Sequence, residues 1–404
     1  MKIAFLEPAG KGGMIHYAFQ LCRALAESGA EVTLITSTDY ELGALGAPFR
    51  VEPIVELWDA KPAGRVSTAW WRVAARKLRR VFRAFRHYRE WLRQIHRLAQ
   101  LRPDVVLLGE IRFPFDLFPL LLLRRKAPLL ADICHNVHPF RAGGIFTRSR
   151  VDQFFYRRIY RRFDVVFVHF ERNRREFMDT FGIPQSRTGV IVHGNEEIFR
   201  ELRTPGVTAA TLRARHAFGG EPIVLFFGTL TRYKGVDVLI EAFPRVRRET
   251  GARLVFAGFP VHDFDLAAHQ GRVRALGIDD AVTWVAEYID TGDVAAWMEL
   301  ASAIVFPYRD ISQSGAVHVA QTFGVPAVAS DAGAFRDVIV HERSGLLVPP
   351  ENPDKLAEGL VRLLTDDELA ARIRARLLED ARGPFAWTTT AGAILAKLRE
   401  IRGR

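Results

Sequence analysis

Residues 223–258 read IVLFFGTLTRYKGVDVLIEAFPRVRRETGARLVFAG. The apolar run IVLFFG has the length of a buried strand and stops at Gly228; the pattern turns helical over Val236 to Thr250 and returns to a second apolar run, RLVFAG. Continuous apolar strands separated by a helix belong to a parallel sheet covered on both faces, because alternation would leave one face to water. Downstream the rhythm continues with a helix over Asp265 to Leu276, VTWVAE, a helix over Gly292 to Ala301, AIVFPY, a helix from Gly315, PAVAS and GLLVPP. Upstream, across a polar stretch near Arg200 to Gly220, KIAFLE, a helix over Tyr17 to Ser28, EVTLIT, DVVLLG, PLLADIC, DVVFVH and GVIVHG repeat it. The fold class is therefore α/β, with two facing Rossmann-like doubly wound domains. Ligands of such sheets bind at the carboxyl ends of the strands, and the cleft between the domains is the expected site.

The 404 residues, 49% apolar and 25% charged, exclude disordered and fibrous classes and are enough for two domains. Cys22 and Cys134 cannot build a disulfide framework and offer no zinc spacing, so a reducing cytoplasm is the expected setting. The opening MKIAFLEPAG reads as a buried strand and a turn, not an export signal. The longest apolar run, around Leu117 to Leu123, falls well short of the roughly 20 residues that a spanning helix needs.

The net charge of +11 is local: residues 65–102 hold twelve Lys/Arg against the single acid Glu90. Apolar residues Trp71, Ala74, Leu78, Val81, Phe82, Phe85, Tyr88, Leu92, Ile95 and Ala99 recur there at helical spacing between arginines. The pattern is that of a basic amphipathic helix or helix pair, which with its aromatic residues suits an anionic membrane surface, and peripheral attachment at the inner face is expected. The plainer alternative is a helix that packs on its own domain with its arginines solvated. No nucleic-acid signature accompanies the charge, so nucleic acid is not an expected partner.

Two strand-to-helix turns can carry chemistry. After the first strand come Pro8, Gly10, Lys11, Gly12 and Gly13, a glycine-rich turn opening a helix near Met14, whose backbone can approach an anion. It has neither the dinucleotide fingerprint nor the P-loop spacing, and a plain tight turn remains open. In the second half Gly228 ends the strand, Arg232 and Lys234 follow in the loop, and Gly235 opens the helix. Two cations beside a helix N-terminus can make a clamp for a diphosphate, one that would stabilise the charge developing when a nucleoside diphosphate leaves; the plainer alternative is a pair of solvated loop cations.

With ALASAIVFPY, SGAVHVAQTFGVPAVASDAGAFRDVI, SGLLVPPENPDKLAEGL, the amino-terminal GGMIHYAFQLCRALAESGAEVTLIT and the terminal FAWTTTAGAILAKLREI, the chain resembles the retaining GT-B fold glycosyltransferases of family 4 along essentially its whole length. The resemblance implies an acceptor-binding domain over 1–200, a nucleotide-sugar domain over 201–385 and a terminal helix over 386–404 that crosses back to the first. It implies transfer of a sugar from a UDP- or GDP-linked donor, as co-substrate and without a resident cofactor or metal, to a glycan or lipid-linked acceptor. In the family the leaving diphosphate takes the acceptor proton. Gly12 and Gly13 match the glycine loop, Arg232 and Lys234 the diphosphate pair, and His135 in DICHNVHPF the histidine that contacts the transferred sugar, with His138 nearby. The commonest family form places Arg directly after the strand glycine, where this chain has Thr229. The family's paired glutamates are replaced by Ile311 and Val319, and the loop reads Ser312, Gln313, Ser314, Gly315, whose hydroxyls and N–H groups at a helix start can hold sugar or phosphate. A catalytically silent homologue and a nucleotide-sugar epimerase are the alternatives.

Overall fold

The computed structural model describes residues 1–56, 70–111, 113–137, 150–311 and 313–403, with the backbone alone for 70–84 and 150. The described residues form two compact units. One comprises those up to 137, those from 150 to 191 and those from 390; the other comprises 192–389.

The first unit holds β1 (Lys2–Leu6), β2 (Glu31–Ser37), β3 (Arg50–Val55), β4 (Val105–Leu108), β5 (Leu129–Ile133), β6 (Val165–Val168) and β7 (Thr188–Val190). They form one parallel sheet in the order β3-β2-β1-β4-β5-β6-β7. The second holds β8 (Ile223–Phe227), β9 (Arg253–Ala257), β10 (Val282–Val285), β11 (Ala303–Phe306), β12 (Ala327–Ser330) and β13 (Leu346–Val348), parallel in the order β10-β9-β8-β11-β12-β13. Both orders run outward from the first strand to one edge and then back to the other, as in a doubly wound sheet. The apolar runs are buried on both faces: Ile223 to Phe226 and Val105 to Leu108 are all at or below 2% exposure. The helix between β8 and β9 spans Val236–Thr250 and stops at Gly251, whose φ of 67° suits glycine.

Three elements differ from the sequence expectation. The helix after β1 spans Gly13–Glu27, opening near Met14 as the glycine turn implies and ahead of the Tyr17 start that the apolar pattern suggests. β3 carries no strand signal in its sequence RVEPIV, because Pro53 interrupts it; as an edge strand paired only to β2 it tolerates the proline. The basic segment is one helix, Trp70–Leu101; the side chains of Trp71, Ala74, Leu78, Val81 and Phe82 lie outside the described residues, and among the rest Ile95 is buried as expected while the stripe around it differs. Trp91, Ile95 and Leu98 are buried along with Glu90 and Gln94, whereas Phe85, Leu92 and Ala99 are exposed. Specific partners turn the helix this way: Asp116 accepts from the Trp91 indole at 3.2 Å and meets His87 at 2.6 Å, while Glu52 takes Arg97 through two 2.6 Å bonds. Among the described residues no helix is long and apolar enough to cross a membrane.

Candidate functional site

The residues singled out in the sequence fall into two sets, one in each unit. In the second unit the set gathers where β8 and β11, neighbours in the sheet, end together. Arg232–Lys234 form a single 3-10 turn that closes on Gly235. Gly235 has φ 66°, and a Cβ there would lie 2.0 Å from the Pro307 carbonyl oxygen, so only glycine lets this helix start lie against the end of β11.

That close approach buries Lys234. The side chain is 7% exposed; its Nζ donates to Thr229 Oγ1 at 3.1 Å and lies 5.5 Å from the Tyr308 ring centroid. No described carboxylate pairs with it, and burial pushes its pKa down to about 8. Thr229 thus serves as a neutral acceptor for the buried ammonium. Arg232 is exposed, and no described acid pairs with its guanidinium. Its carbonyl instead accepts from Arg309 Nη1 at 2.7 Å.

Arg309 was not read from the sequence. It binds Asp237 at 2.6 Å and Glu351 at 2.9 Å, and the bonds to Asp237 raise its pKa further despite partial burial. It therefore fastens the cation turn, the following helix and the chain after β13 to one another. The available signal was a second arginine two residues after the β11 run IVFP, at a strand's carboxyl end.

The helix Gly315–Phe323 begins with its Ser314 N-cap extended at φ −139° and making no side-chain cap bond. Ser314 is buried beside the Tyr308 hydroxyl, and a Cβ on Gly315 would meet nothing within 4 Å. Lys234, Tyr308, Ser314 and Gly315 thus come together, with Gln313 part-exposed next to them. Ser312 lies outside the described residues. Ile311 and Val319 are 6% and 4% exposed and belong to the core.

In the first unit, Gly12 has φ 81° and caps the helix Gly13–Glu27. Its N–H donates to Glu41 Oε1 at 2.7 Å, and the same oxygen meets His16 Nε2 at 2.7 Å. Burial opposes the charge on Glu41, but the bonds from His16 and the Gly12 N–H hold its carboxyl below the usual range. The turn is thus closed by the protein's own carboxylate at Gly12. Gly13 has nothing within 4 Å of its Cβ position.

His135 follows β5 and stands edge-on to Tyr17 of that helix, with centroids 4.6 Å apart. Its Nδ1 lies 3.1 Å from Nε2 of His169, which ends the adjacent strand β6 and is buried. Only one of those two nitrogens can carry the shared proton, so the tautomers are linked. His169 was missed, although DVVFVH ends a strand in histidine just as DICH does. His138 lies outside the described residues. Among the described residues no three His, Cys, Asp or Glu side chains gather into a metal site.

Residues 12–194 match the family model described as glycosyl transferase 4-like domain, and residues 221–366 the one described as glycosyl transferases group 1. A mannosyltransferase of Mycobacterium tuberculosis, named GDP-mannose-dependent alpha-(1-6)-phosphatidylinositol monomannoside mannosyltransferase, is 28% identical over 291 residues, 70% of this chain and 73% of that protein. A D-inositol 3-phosphate glycosyltransferase of Jonesia denitrificans is 31% identical over 45% of this chain and 43% of its own. Among solved structures, Anabaena HepE in complex with UDP superposes at a TM-score of 0.71 with 17% identity, covering 99% of this chain and 100% of that one. The sucrose-phosphate synthase of Thermosynechococcus elongatus superposes at 0.68 with 21% identity, covering 100% and 99%. The chain thus carries a glycosyl transferase 4-like domain followed by a glycosyl transferases group 1 domain, on two Rossmann-like sheets that match the GT-B glycosyltransferase fold.

Proposed function

We propose that the protein transfers a sugar from a UDP- or GDP-linked donor to a glycan or lipid-linked acceptor, with retention at the anomeric carbon, in the synthesis of a surface polysaccharide or other glycoconjugate. The observation that carries this reading is Lys234. A buried ammonium that among the described residues meets a hydroxyl and an aromatic face but no carboxylate, at a strand's carboxyl end and beside a helix start, is paired best by an anion such as a diphosphate. The names of the relatives support the donor class: one is GDP-mannose-dependent and HepE was crystallised with UDP.

In this reading Lys234 and the exposed Arg232 hold the donor diphosphate and stabilise it as it leaves. The N–H groups at Ser314 and Gly315 and the side chain of Gln313 contact the donor; by the family resemblance, the loop of Gly12 and Gly13 would serve its phosphates and His135 the transferred sugar. The departing phosphate takes the acceptor proton, so the loss of carboxylates at Ile311 and Val319 leaves the chemistry intact. The helix Trp70–Leu101 attaches the protein to an anionic membrane surface.

Thermal melting against UDP, GDP and their sugars tests the donor. A ligand that binds only the folded chain adds about 2.7 kcal/mol at one hundred times its Kd. One nucleotide series is expected to raise the Tm of the wild type and to leave Lys234→Ala unmoved. An equal response of both proteins would overturn the assignment, and donor turnover with no acceptor present would point to an epimerase.

A further inference from the structure

Within the amino-terminal unit lies a cavity of about 310 Å³. It sits at the carboxyl ends of β1 and β4, where a parallel sheet presents its ligands. Leu6, Val55, Leu108 and Trp91 give it an apolar wall, and Pro8, which leads into the glycine turn, lines it too. Phe113, also in the lining, stacks on Phe115 with centroids 4.8 Å apart, and Phe115 is exposed.

Apolar surface thus runs from the cavity to the outside and continues there. Phe118 and Leu122 on the helix Leu117–Arg124, Phe154 on the helix Arg150–Tyr160, and Phe85 on the basic helix are all exposed, and these helices pack on one another. An apolar rim of this kind marks an interaction surface. A small water-soluble ligand would need the cavity but not the rim.

The polar lining narrows the choice further. Asp116 is occupied by His87, Trp91 and the Phe113 N–H, and Glu90 by Arg89, Arg93 and the Glu56 N–H. Glu110 is exposed to solvent. Arg86 differs: among the described residues its Nε is buried without a hydrogen-bond partner, and its ion pair with Glu56, at 3.6 Å, is shared with Arg89 and Arg93. What this lining leaves to be recognised is an apolar body carrying an anion, beside a helix whose charge is overwhelmingly positive.

We propose that this cavity seats the acceptor and takes the apolar chain of a membrane lipid phosphate, with its phosphate on Arg86 and its chain passing Phe113 and Phe115. The inference rests on the sugar-transfer reading, and its test is run without donor so that the two fail separately. Binding of dodecyl phosphate below its micelle concentration is measured by calorimetry on the wild type, Arg86→Gln and Val55→Phe, with inorganic phosphate as competitor. The wild type should bind one equivalent, and millimolar phosphate should not displace it. Arg86→Gln should weaken binding about tenfold, the loss of one charge-assisted hydrogen bond, and Val55→Phe, which fills the apolar wall, at least as much. Melting confirms that each variant is folded, and if Val55→Phe is not, Arg86→Gln decides. The proposal is overturned by absence of binding, by unchanged affinity in the folded variants, or by full displacement with phosphate, which would make free phosphate the ligand. A wild type that binds dodecyl phosphate but responds to no nucleotide would instead remove the donor reading and leave the cavity standing.

Discussion

At pH 7 the Lys234 ammonium is charged, yet burial lowers its pKa from 10.5 to about 8. Between those values the unfolded chain holds a proton that the folded one has released, so this group makes stability rise with pH across that window. Anion binding has the opposite sign, because the site loses its charge above pH 8. Calorimetry should show nucleoside diphosphate binding about tenfold weaker at pH 9 than at pH 7; equal affinities would mean that the phosphate lies elsewhere. The linked histidines offer a second test. His169→Phe removes the partner that sets the His135 tautomer at 3.1 Å, and kcat should fall up to about tenfold with donor KM little changed. His169→Gln, which can restore the hydrogen bond, should recover most of it; equal losses in both variants would reduce His169 to a packing role. Lys234 was legible because a cation before a glycine-opened helix is a local pattern. Arg309 and His169 were not, because their partners, Asp237, Glu351 and His135, are brought to them by neighbouring strands.

Two elements carry predictions of their own. The turn Arg232–Gly235 exists because Gly235 adopts φ 66° with no room for a Cβ beside Pro307. Gly235→Ala should cost more than about 2 kcal/mol through left-handed strain and the displaced carbonyl contact, read as a lowered Tm, and should abolish the nucleotide response together with the seat of Lys234. A variant that melts and binds like the wild type would refute that account. The helix Trp70–Leu101 presents exposed Phe85 and Leu92 among its arginines. In flotation, the wild type should rise with anionic vesicles and stay down with neutral ones, and Phe85→Glu with Leu92→Glu should hold it down in both; wild-type protein that floats with neither would remove the membrane role. The helix was plain in the sequence from its periodicity. Its buried stripe was not, since a helix apolar over a broad arc is turned by whichever partners meet it, here Asp116 and Glu52.

Across the whole molecule, the chain passes between the units at 191/192 and again at 389/390. Just inside the second unit, the Asn195 N–H donates to the Phe385 carbonyl and the Trp387 indole to the Asn195 carbonyl, both at 2.7 Å. Beside them His193 and His318 stack with centroids 4.4 Å apart and planes 3° from parallel. Burial lowers both pKa values, that of His193 from 6.5 to about 4, and His318 is lowered further by its neighbour. Such a pair is neutral when folded, so its contribution is intact above pH 6.5 and is lost as the pH falls toward 4, when the unfolded chain binds protons first. The loss from His193 alone approaches about 3 kcal/mol. Urea unfolding at pH 7 and pH 5 should show the protein weaker at pH 5, and His318→Phe should flatten that difference; an unchanged pH dependence would place the acid-sensitive groups elsewhere.

The succession of apolar runs and helical patterns determined the α/β class, the parallel sheets and the positions of the two glycine turns, because burial on both faces and strand-to-helix punctuation are local demands on the chain. Tertiary structure alone decided which groups meet. It paired Glu41 with Gly12, His169 with His135 and Arg309 with Asp237, buried Lys234 against Thr229 and Tyr308, and opened a cavity behind the basic helix. Apart from the local Lys234–Thr229 contact, these depend on strand order, which brings together residues whose separation along the chain carries no trace of their contact.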